Sequence, residues 1–299
     1  MKPVKSLGIV AFSSNREITS LLGMIAGWAR ELNINLYYHP SVKELPEPAA
    51  PEVSDAALLD KSEALISIGG DGTFLSAVHM SKFHDKPVIG INLGGLGFLT
   101  DLSPENLKND LRRIACGEYS VVTRMTLDAV LVRNKNEIGS YHALNDIFIT
   151  RCGSARLVSL AAWHGNDYIG NFQGDGLIAA TPSGSTAYSL AAGGPIVAPD
   201  LDVFLLNPIC PHSLTERPMI LPPDKPIRIT INSTRKDTML SADGLDSTML
   251  QGEDEILISK GKKSTKIVQL SNRSYFDLLR TKLNWGLNYK RRSSTSGDS

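Results

Sequence analysis

The sequence predicts an α/β domain followed by an all-β sandwich. In the first 120 residues, short apolar runs alternate with amphipathic stretches, a pattern typical of a parallel sheet with flanking helices. After residue 120, strand-like runs follow one another with turn residues between them, which indicates an antiparallel sandwich. The length of 299 residues suits two domains at ~150 residues each.

Residues 1–120 form the predicted α/β domain, with short apolar strands and helices that carry apolar side chains every three or four positions. The predicted strands are Leu7–Phe12, Asn35–Tyr38, Ala64–Ile68 and Val88–Asn92. The predicted helices are one after Asn15 that buries Ile18, Leu21, Leu22, Ile25, Ala29 and Leu32, a second at Phe74–Phe83, and a third that Ser103-Pro104-Glu105 opens and that ends near Cys116. Lys43–Asp55 holds three prolines and is predicted to be a loop.

Residues 121–271 form the predicted sandwich, and residues 272–299 a C-terminal segment. The predicted strands are Leu127–Val132, Leu144–Ile149, Leu157–Trp163, Leu177–Thr181, Val203–Leu206, Ile227–Ile231 and Ile256–Ser259, with turns at 134–136, 165–167 and 241–247. Ser274–Leu283 is predicted to be a helix that packs back on the first domain. The basic, serine-rich end Lys290–Ser299 is expected to be disordered.

Composition excludes several classes of protein. The 31 basic and 31 acidic residues balance, which disfavours a nucleic-acid partner. The three cysteines are far apart, so they predict neither a disulfide framework nor a zinc motif. No apolar run of ~18 residues is present, so no membrane span is expected. The start has too short an apolar run for a signal peptide, and we expect a cytoplasmic protein.

The strongest local signal is Gly69-Gly70-Asp71-Gly72-Thr73, between a predicted strand and a predicted helix. Ligands of open parallel sheets bind at this end of the strands. Glycines let backbone N–H groups approach a phosphate, and a helix N-terminus favours anions. An acid at Asp71 fits a general base or a metal ligand, and a tight turn whose Asp caps the helix remains the structural alternative.

A second glycine cluster, Asn92–Gly97, follows the next predicted strand and should lie at the same edge of the sheet. No Walker motif is present, and Gly95-x-Gly97-x-x-Thr100 lacks the third glycine of the dinucleotide fingerprint. A Rossmann hydride-transfer enzyme is therefore disfavoured.

Three polar segments in the second domain are further candidates. Asn145-Asp146 interrupts an apolar strand, so one side chain should face inward or a cleft unless the pair marks a bulge or an edge. Gly174-Asp175-Gly176 again places an acidic residue between two glycines, as Gly70-Asp71-Gly72 does. The hydroxyl-rich run Thr181–Ser189 suits a polar ligand or a helix start with several caps, and it contains no Gly-x-Ser-x-Gly elbow.

Taken together, GGDGT, INLGGLGFLTDL, LNDIFI and GDGLIAATPSGSTAYSLAAGGPI resemble the NAD kinase family, with SADG and SYFDLLRTKLNW fitting near the end. The resemblance implies an α/β domain plus a β-sandwich. It also implies a phosphotransferase that moves the γ-phosphate of ATP to the 2′-hydroxyl of the adenosine ribose of NAD and so makes NADP.

The resemblance also implies roles for single residues. Asp71 would be the general base, and Gly72 would contact the ribose and phosphate region. Asp175 would hold the nicotinamide end of NAD, either in its own subunit or in a neighbouring one. The remaining NAD contacts would be Asn145, Asp146, Arg156, Gln173, Thr186, Ala187, Tyr188, Ser189, Leu190 and Ala191. Three positions depart from the family: Asp146 replaces Glu, Gln173 replaces a common Arg, and Leu245 is apolar at a contact position.

The resemblance implies the ligands ATP, NAD and Mg²⁺ and a homo-oligomer, either a dimer or a tetramer. It places no metal ligands. Two other functions remain open at this point. One is a lipid kinase that shares GGDGT, and the other is a non-catalytic sensor that binds NAD(P).

Overall fold

Three six-stranded sheets and six helices make up the described fold. The computed structural model describes residues 1–12, 16–43, 45, 53–81, 84–95, 97–153, 157–232, 237–271 and 273–286. Arg156, the predicted helix end at Phe83 and the predicted tail Lys290–Ser299 lie outside these residues.

The strands and helices have the following bounds. The strands are β1 (Ser6–Val10), β2 (Asn35–Tyr38), β3 (Ala64–Ile68), β4 (Val88–Ile91), β5 (Ser120–Arg124), β6 (Leu127–Arg133), β7 (Asn136–Ala143), β8 (Asp146–Arg151), β9 (Val158–His164), β10 (Asp167–Gly174), β11 (Gly176–Ala180), β12 (Phe204–Ile209), β13 (Met219–Leu221), β14 (Ile227–Ile231), β15 (Thr238–Ala242), β16 (Asp246–Leu250), β17 (Glu255–Lys260) and β18 (Thr265–Gln269). The helices are α1 (Arg16–Glu31), α2 (Asp55–Lys61), α3 (Asp71–Ser81), α4 (Leu107–Cys116), α5 (Tyr188–Ala191) and α6 (Tyr275–Leu283), with 3₁₀ turns at Pro104–Asn106 and Ser183–Thr186.

The first sheet has the order β2-β1-β3-β4-β18-β5, and every neighbouring pair is parallel except β18 with β5. β1, β3 and β4 are buried along their whole length, as strands covered by helices on both faces must be. The side chains of α1 predicted to face the core are buried at Ile18, Leu21, Leu22, Ile25 and Ala29. The predicted α/β domain with a parallel sheet is confirmed.

The other two sheets form the sandwich. Their orders are β10-β9-β14-β17-β6-β7 and β13-β12-β11-β8-β15-β16, and all pairs are antiparallel. Alternate side chains of both sheets meet in one apolar core, for example Leu131 of β6, Ile149 of β8 and Leu160 of β9. This confirms the predicted all-β part, while edge strands such as β7 and β16 were missed because their side chains are largely exposed and polar.

Two strands from the β-rich half of the chain belong to the α/β sheet. β18 pairs with β4 through Ile267 and Val88, and β5 pairs with β18 along its length. The range predicted for the sandwich, 121–271, includes β18 and nearly all of β5, but the hydrogen bonds of both strands extend the first sheet. Pattern alone cannot assign them, because a strand's partner depends on contacts far away in sequence.

Helix α3 begins three residues earlier than predicted. Asp71 and Gly72 occupy its first turn, so the acid of the glycine cluster lies on the helix rather than in a loop before it. Gly69, just before the helix, has φ +152°, and a Cβ there would lie 2.4 Å from Thr73 Oγ1. Only glycine therefore allows the strand to pass into the helix at this point.

Helix α6 contacts both halves of the chain. Ser274 and Asp277 form a capping box that sets its start, as predicted for a helix at Ser274–Leu283. Tyr275 and Leu278 line a cavity together with Leu99 of the first half and Pro182 of the second. Among the described residues, no helix is long and apolar enough to cross a membrane.

Candidate active site

The Asp71 carboxylate lies where the two glycine clusters meet. Its Oδ2 accepts a hydrogen bond from the Phe98 N–H at 3.1 Å, and its Oδ1 accepts from the Leu99 N–H at 3.2 Å and from the Thr100 hydroxyl at 3.5 Å. A carboxylate has ~four acceptor positions, so these contacts leave Oδ2 able to accept a further proton or hydrogen bond. The predicted closeness of the two clusters is thereby observed in the structure.

Glycine is required beside Asp71 because the backbone approaches it closely. A Cβ at Gly97 would lie 2.3 Å from Asp71 Oδ1 and 2.1 Å from Thr100 Oγ1. By contrast, a Cβ at Gly70, Gly72 or Gly94 would meet no atom within 4 Å. Gly97 thus packs against the carboxylate, whereas Gly70, Gly72 and Gly94 have open space where a side chain would lie.

The Asn145-Asp146 pair lies directly against the hydroxyl-rich segment. The Asn145 carbonyl accepts from the Thr181 N–H at 2.8 Å, and a Cβ at Gly184 would lie 2.0 Å from that carbonyl oxygen. β8 begins only at Asp146, so Asn145 precedes the strand instead of interrupting it. Asn145 Oδ1 is buried and has no hydrogen-bond partner among the described residues, which marks it as an acceptor available to a ligand.

The buried carboxylate of Asp243 holds this pair in place. Its Oδ1 accepts from the N–H groups of Asn145 and Asp146 at 2.8 and 3.0 Å, and its Oδ2 accepts from the Leu144 N–H at 2.8 Å. His79 Nε2 of helix α3 lies 2.9 Å from Asp243 Oδ2. The helix that begins with Asp71 is therefore connected to the Asn145-Asp146 turn through one carboxylate.

Asp146 lies in an environment that disfavours its charge. Burial raises the pKa of its carboxyl to about 7, the negative charge of Asp243 adds to the increase, and a hydrogen bond from the Tyr188 backbone N–H opposes it. Asp146 can therefore be present as a neutral hydrogen-bond donor or as a charged acceptor near neutral pH.

Tyr188 is partly exposed and packs against one aromatic neighbour. Its ring meets Phe148 edge-to-face at a centroid distance of 5.1 Å, and 37% of the residue is exposed. A hydrogen bond holds the turn that carries Tyr188, because the buried Asn207 side-chain amide donates to the Ser189 carbonyl at 2.8 Å. Sequence reasoning missed Asn207, because nothing in the sequence near it points to this turn.

Asp175 lies between β10 and β11, and its flanking glycines have a packing role. A Cβ at Gly176 would lie 2.1 Å from the Ile149 carbonyl oxygen, and one at Gly174 would lie 2.7 Å from the Ile209 carbonyl oxygen. Arg151 Nε donates to Asp175 Oδ1 at 2.7 Å. The Asp175 side chain is 28% exposed, so it is held in place and still open to solvent.

The other predicted contact residues occupy varied positions. Gln173 is exposed on β10, and Leu245 is exposed on the turn that contains Asp243. The rest of the hydroxyl-rich run follows Ser183–Thr186 into α5, with Ser189 buried, Thr186, Ala187 and Leu190 partly exposed, and Ala191 exposed. The structure brings Asn145, Asp146 and Tyr188 together, and it joins them to helix α3 through Asp243. Arg156 lies outside the described residues.

Sequence analysis placed Asp243 in a turn and assigned no role to His79. The sequence signals at Asp243 were the predicted turn at 241–247 and the motif SADG, which contains it; the residue adopts φ +51° in the turn between β15 and β16. Within the described ranges, no group of three or more His, Cys, Asp or Glu side chains could hold a metal ion. Both glycine clusters follow strands of an open α/β sheet at its carboxyl edge, where proteins of this fold class bind their ligands.

Comparison with known proteins identifies the family. A family model described as the ATP-NAD kinase N-terminal domain matches residues 7–119, and one described as the ATP-NAD kinase C-terminal domain matches residues 144–270. The NAD kinase of Syntrophotalea carbinolica is 35% identical over 283 residues, which cover 95% of this chain and 99% of that protein. The NAD kinase of Caldanaerobacter subterraneus is 41% identical over 226 residues, covering 76% and 80%. The chain belongs to the NAD kinase family.

Solved structures agree with this assignment. Yeast NADH kinase complexed with NADH superposes with a TM-score of 0.87 at 26% identity, covering 97% of this chain and 90% of that one. An NAD kinase from Archaeoglobus fulgidus in complex with ATP gives a TM-score of 0.73 at 25% identity, covering 93% and 98%. The predicted combination of an α/β domain and a β-sandwich is therefore that of known NAD kinases.

We expect Asp146→Asn to raise the melting temperature relative to wild type by more at pH 8 than at pH 5. The folded-state pKa of about 7 lies above the unfolded value of ~3.9. The stability that Asp146 contributes is therefore complete below the unfolded value and is lost as the pH rises through about 7. Asn carries no charge at either pH. Calorimetry of the ligand-free proteins measures the effect.

The control for this experiment is Asp60→Asn on the exposed face of α2, which should change the melting temperature equally at both pH values. An Asp146→Asn shift that is the same at pH 5 and pH 8 would contradict the raised pKa.

We expect His79→Ala to lower the free energy of unfolding by about 1–3 kcal/mol, because it removes the imidazole that hydrogen-bonds to the fully buried Asp243 carboxylate. Urea denaturation measures this. His84→Ala, at an exposed position just beyond α3, is the matched control and should change the value by less than ~0.5 kcal/mol. Equal effects of the two substitutions would mean that the His79–Asp243 contact contributes no stability.

Proposed function

We propose that the protein is an NAD kinase, which transfers the γ-phosphate of ATP to the 2′-hydroxyl of the adenosine ribose of NAD and releases NADP and ADP. Membership of the NAD kinase family supports this reaction. The observation that carries it in the structure is the position of Asp71, whose carboxylate lies where both glycine clusters meet, on the first turn of α3.

Asp71 is the general base in this proposal. The ribose hydroxyl is a poor nucleophile, and a carboxylate within hydrogen-bond reach can accept its proton as the oxygen attacks phosphorus. The N–H groups of Phe98 and Leu99 fix the carboxylate in one orientation while leaving Oδ2 with acceptor capacity. Gly72 follows on the same helical turn and is exposed, so its backbone can lie against ribose and phosphate.

The cluster of Asn145, Asp146 and Tyr188 recognises the NAD substrate. Asn145 offers a buried acceptor without a partner among the described residues, which suits an exocyclic amino group or a hydroxyl. Asp146 offers a carboxyl for ribose hydroxyls, and the partly exposed ring of Tyr188 offers an apolar surface for a base. Thr186, Ala187 and Ser189–Ala191 would form the remainder of the adenine pocket, and Gln173 and Arg156 would contribute further polar contacts.

Asp175 serves the nicotinamide end of NAD in this proposal. The contact from Arg151 orients its carboxylate and balances its charge. Within a homo-oligomer, a dimer or tetramer formed through the β-rich part, Asp175 could serve a neighbouring site. The proposed compartment is the cytoplasm.

ATP is the proposed phosphoryl donor, as the Archaeoglobus fulgidus relative in complex with ATP suggests. Mg²⁺ is proposed to accompany ATP, because magnesium commonly binds substrate phosphates with only one or two protein carboxylates. When bound, it would neutralise charge on the transferred phosphate.

Incubation of the purified protein with ATP, Mg²⁺ and NAD tests the function. We expect NADP to form, detected by an NADP-specific dehydrogenase. Diacylglycerol and sphingosine should not be phosphorylated in parallel reactions. Lipid phosphorylation without NADP would favour the lipid kinase, and NAD binding without any phosphoryl transfer would favour the sensor.

We expect Asp71→Asn to reduce kcat by at least ~10²-fold, because an amide cannot accept the ribose proton. The affinity for NAD should stay within a few-fold of wild type. Steady-state kinetics and direct NAD binding measure the two quantities. The amide also brings an N–H₂ group towards the backbone N–H donors of Phe98 or Leu99, so some loss of stability is expected and must be measured separately.

A control variant distinguishes the role of Asp71 as a base from its role in holding the Phe98–Leu99 loop. Thr100→Val removes the hydroxyl contacts to Asp71 and Asn92 while leaving the carboxylate in place. We expect it to reduce kcat by less than tenfold. If Thr100→Val and Asp71→Asn reduce kcat equally, Asp71 acts by positioning the loop and is not the base.

A further inference from the structure

Two adjoining cavities lie beside the loop that holds Asp71. Their volumes are about 90 and 70 Å³, and both are lined by Phe98, Leu99, Arg124 and Arg273. Small-molecule sites usually measure ~300–1,000 Å³, so these cavities have room for one group of a larger ligand. Of the residues proposed to contact NAD, Thr186 lines the first cavity, whereas Asn145, Asp146, Tyr188 and Asp175 line neither.

Arg124 at the end of β5 is a half-buried cation with little to neutralise it. Its Nη1 donates to the Thr123 carbonyl at 3.3 Å, and no carboxylate within the described residues comes within 4.0 Å of the guanidinium. Burial lowers the pKa of its guanidinium, with the charge of Asp200 and the hydroxyl of Tyr275 acting in the opposite direction. A guanidinium stays protonated in proteins and needs an anionic partner when it is desolvated.

Arg273 supplies a second cation at the exposed rim of the same cavities. The one carboxylate in their lining is Asp101, and it is engaged elsewhere: its oxygens accept from the N–H groups of Leu270 and Ser271 at 2.8 and 2.9 Å and from the Ser271 hydroxyl. Ser183 and Thr186 add hydroxyl groups to the first cavity. The lining therefore combines two cations with hydroxyl donors, which is the composition of a phosphate site.

We propose that Arg124 and Arg273 bind a phosphate group of the phosphoryl donor, in the cavities between the Phe98–Leu99 loop, β5 and the start of α6. The assignment to the donor presupposes the proposed NAD kinase activity. The same loop holds Asp71 by its backbone and lines the cavities, so the anion site adjoins the proposed base.

The donor fits this position better than the NAD pyrophosphate does. In phosphoryl transfer the attacking hydroxyl lies between its base and the phosphorus, with the leaving group in line beyond. The cavities that hold the two cations are not lined by Asn145, Asp146 or Tyr188, which the proposed function assigns to NAD. A guanidinium there would neutralise charge on the donor as the bond to the leaving oxygen breaks.

The test compares Arg124→Met with Arg112→Met, a matched substitution on the exposed face of α4. We expect Arg124→Met to raise the KM for ATP by about tenfold or more and to leave the KM for NAD within about twofold, because only the donor loses a charge-assisted contact. Arg112→Met should change neither constant. A KM for ATP within twofold of wild type, or equal increases for ATP and NAD, would overturn the proposal.

A binding experiment separates the anion site from the activity. Calorimetry with inorganic tripolyphosphate, in the absence of NAD, should give at least tenfold weaker binding to Arg124→Met than to wild type. If tripolyphosphate binding depends on Arg124 but no NADP forms, the anion site is supported and the proposed activity is rejected. NADP formation with tripolyphosphate binding unchanged in the variant would reject the site alone. If Arg124→Met does not fold, the exposed Arg273→Met carries both measurements with the same expectations.

Discussion

The buried carboxylate of Asp243 is the constraint on which the site depends. A carboxylate removed from water is costly unless donors surround it. Here three consecutive backbone N–H groups at 144–146 and the ring of His79 surround it. To supply those donors the chain must turn at Asn145, and helix α3 must keep the register that brings His79 to the same carboxylate. The ligand cluster and the helix that starts with Asp71 are thus fixed by one group.

Close backbone approach is the second constraint, and it gives the glycines two different tasks. Gly97, Gly176 and Gly184 lie where any Cβ would collide with a neighbouring oxygen at 2.0–2.3 Å. They allow segments to come together that a side chain would hold apart. Gly70, Gly72 and Gly94 face open space instead. Only this second group fits the sequence-based interpretation that glycines expose the backbone to phosphate. A glycine in the sequence does not show which of the two tasks it has.

What the sequence could predict follows the range of the interactions involved. Buried strands such as β3 and β14, and the capped start of α6, depend on local periodicity and local hydrogen bonds, and they were predicted. The contact of His79 with Asp243 joins positions 164 residues apart and has no local signal. β18 likewise enters the first sheet after the chain has completed the sandwich. The family motifs identified candidate side chains, whereas their partners emerged only from the three-dimensional arrangement.

The balance of charges in the whole chain conceals a local separation. The formal net charge is zero, which by itself suggests no attraction for polyanions. Around the site, however, three acidic side chains are paired or made less acidic. Arg151 forms an ion pair with Asp175, His79 hydrogen-bonds to Asp243, and burial raises the pKa of Asp146 to about 7. Asp71 has hydrogen bonds to its loop but no ion pair among the described residues. The two arginines at the neighbouring cavities add positive charge beside the loop that holds Asp71, so a highly charged phosphoryl donor can approach the carboxylate base with less repulsion.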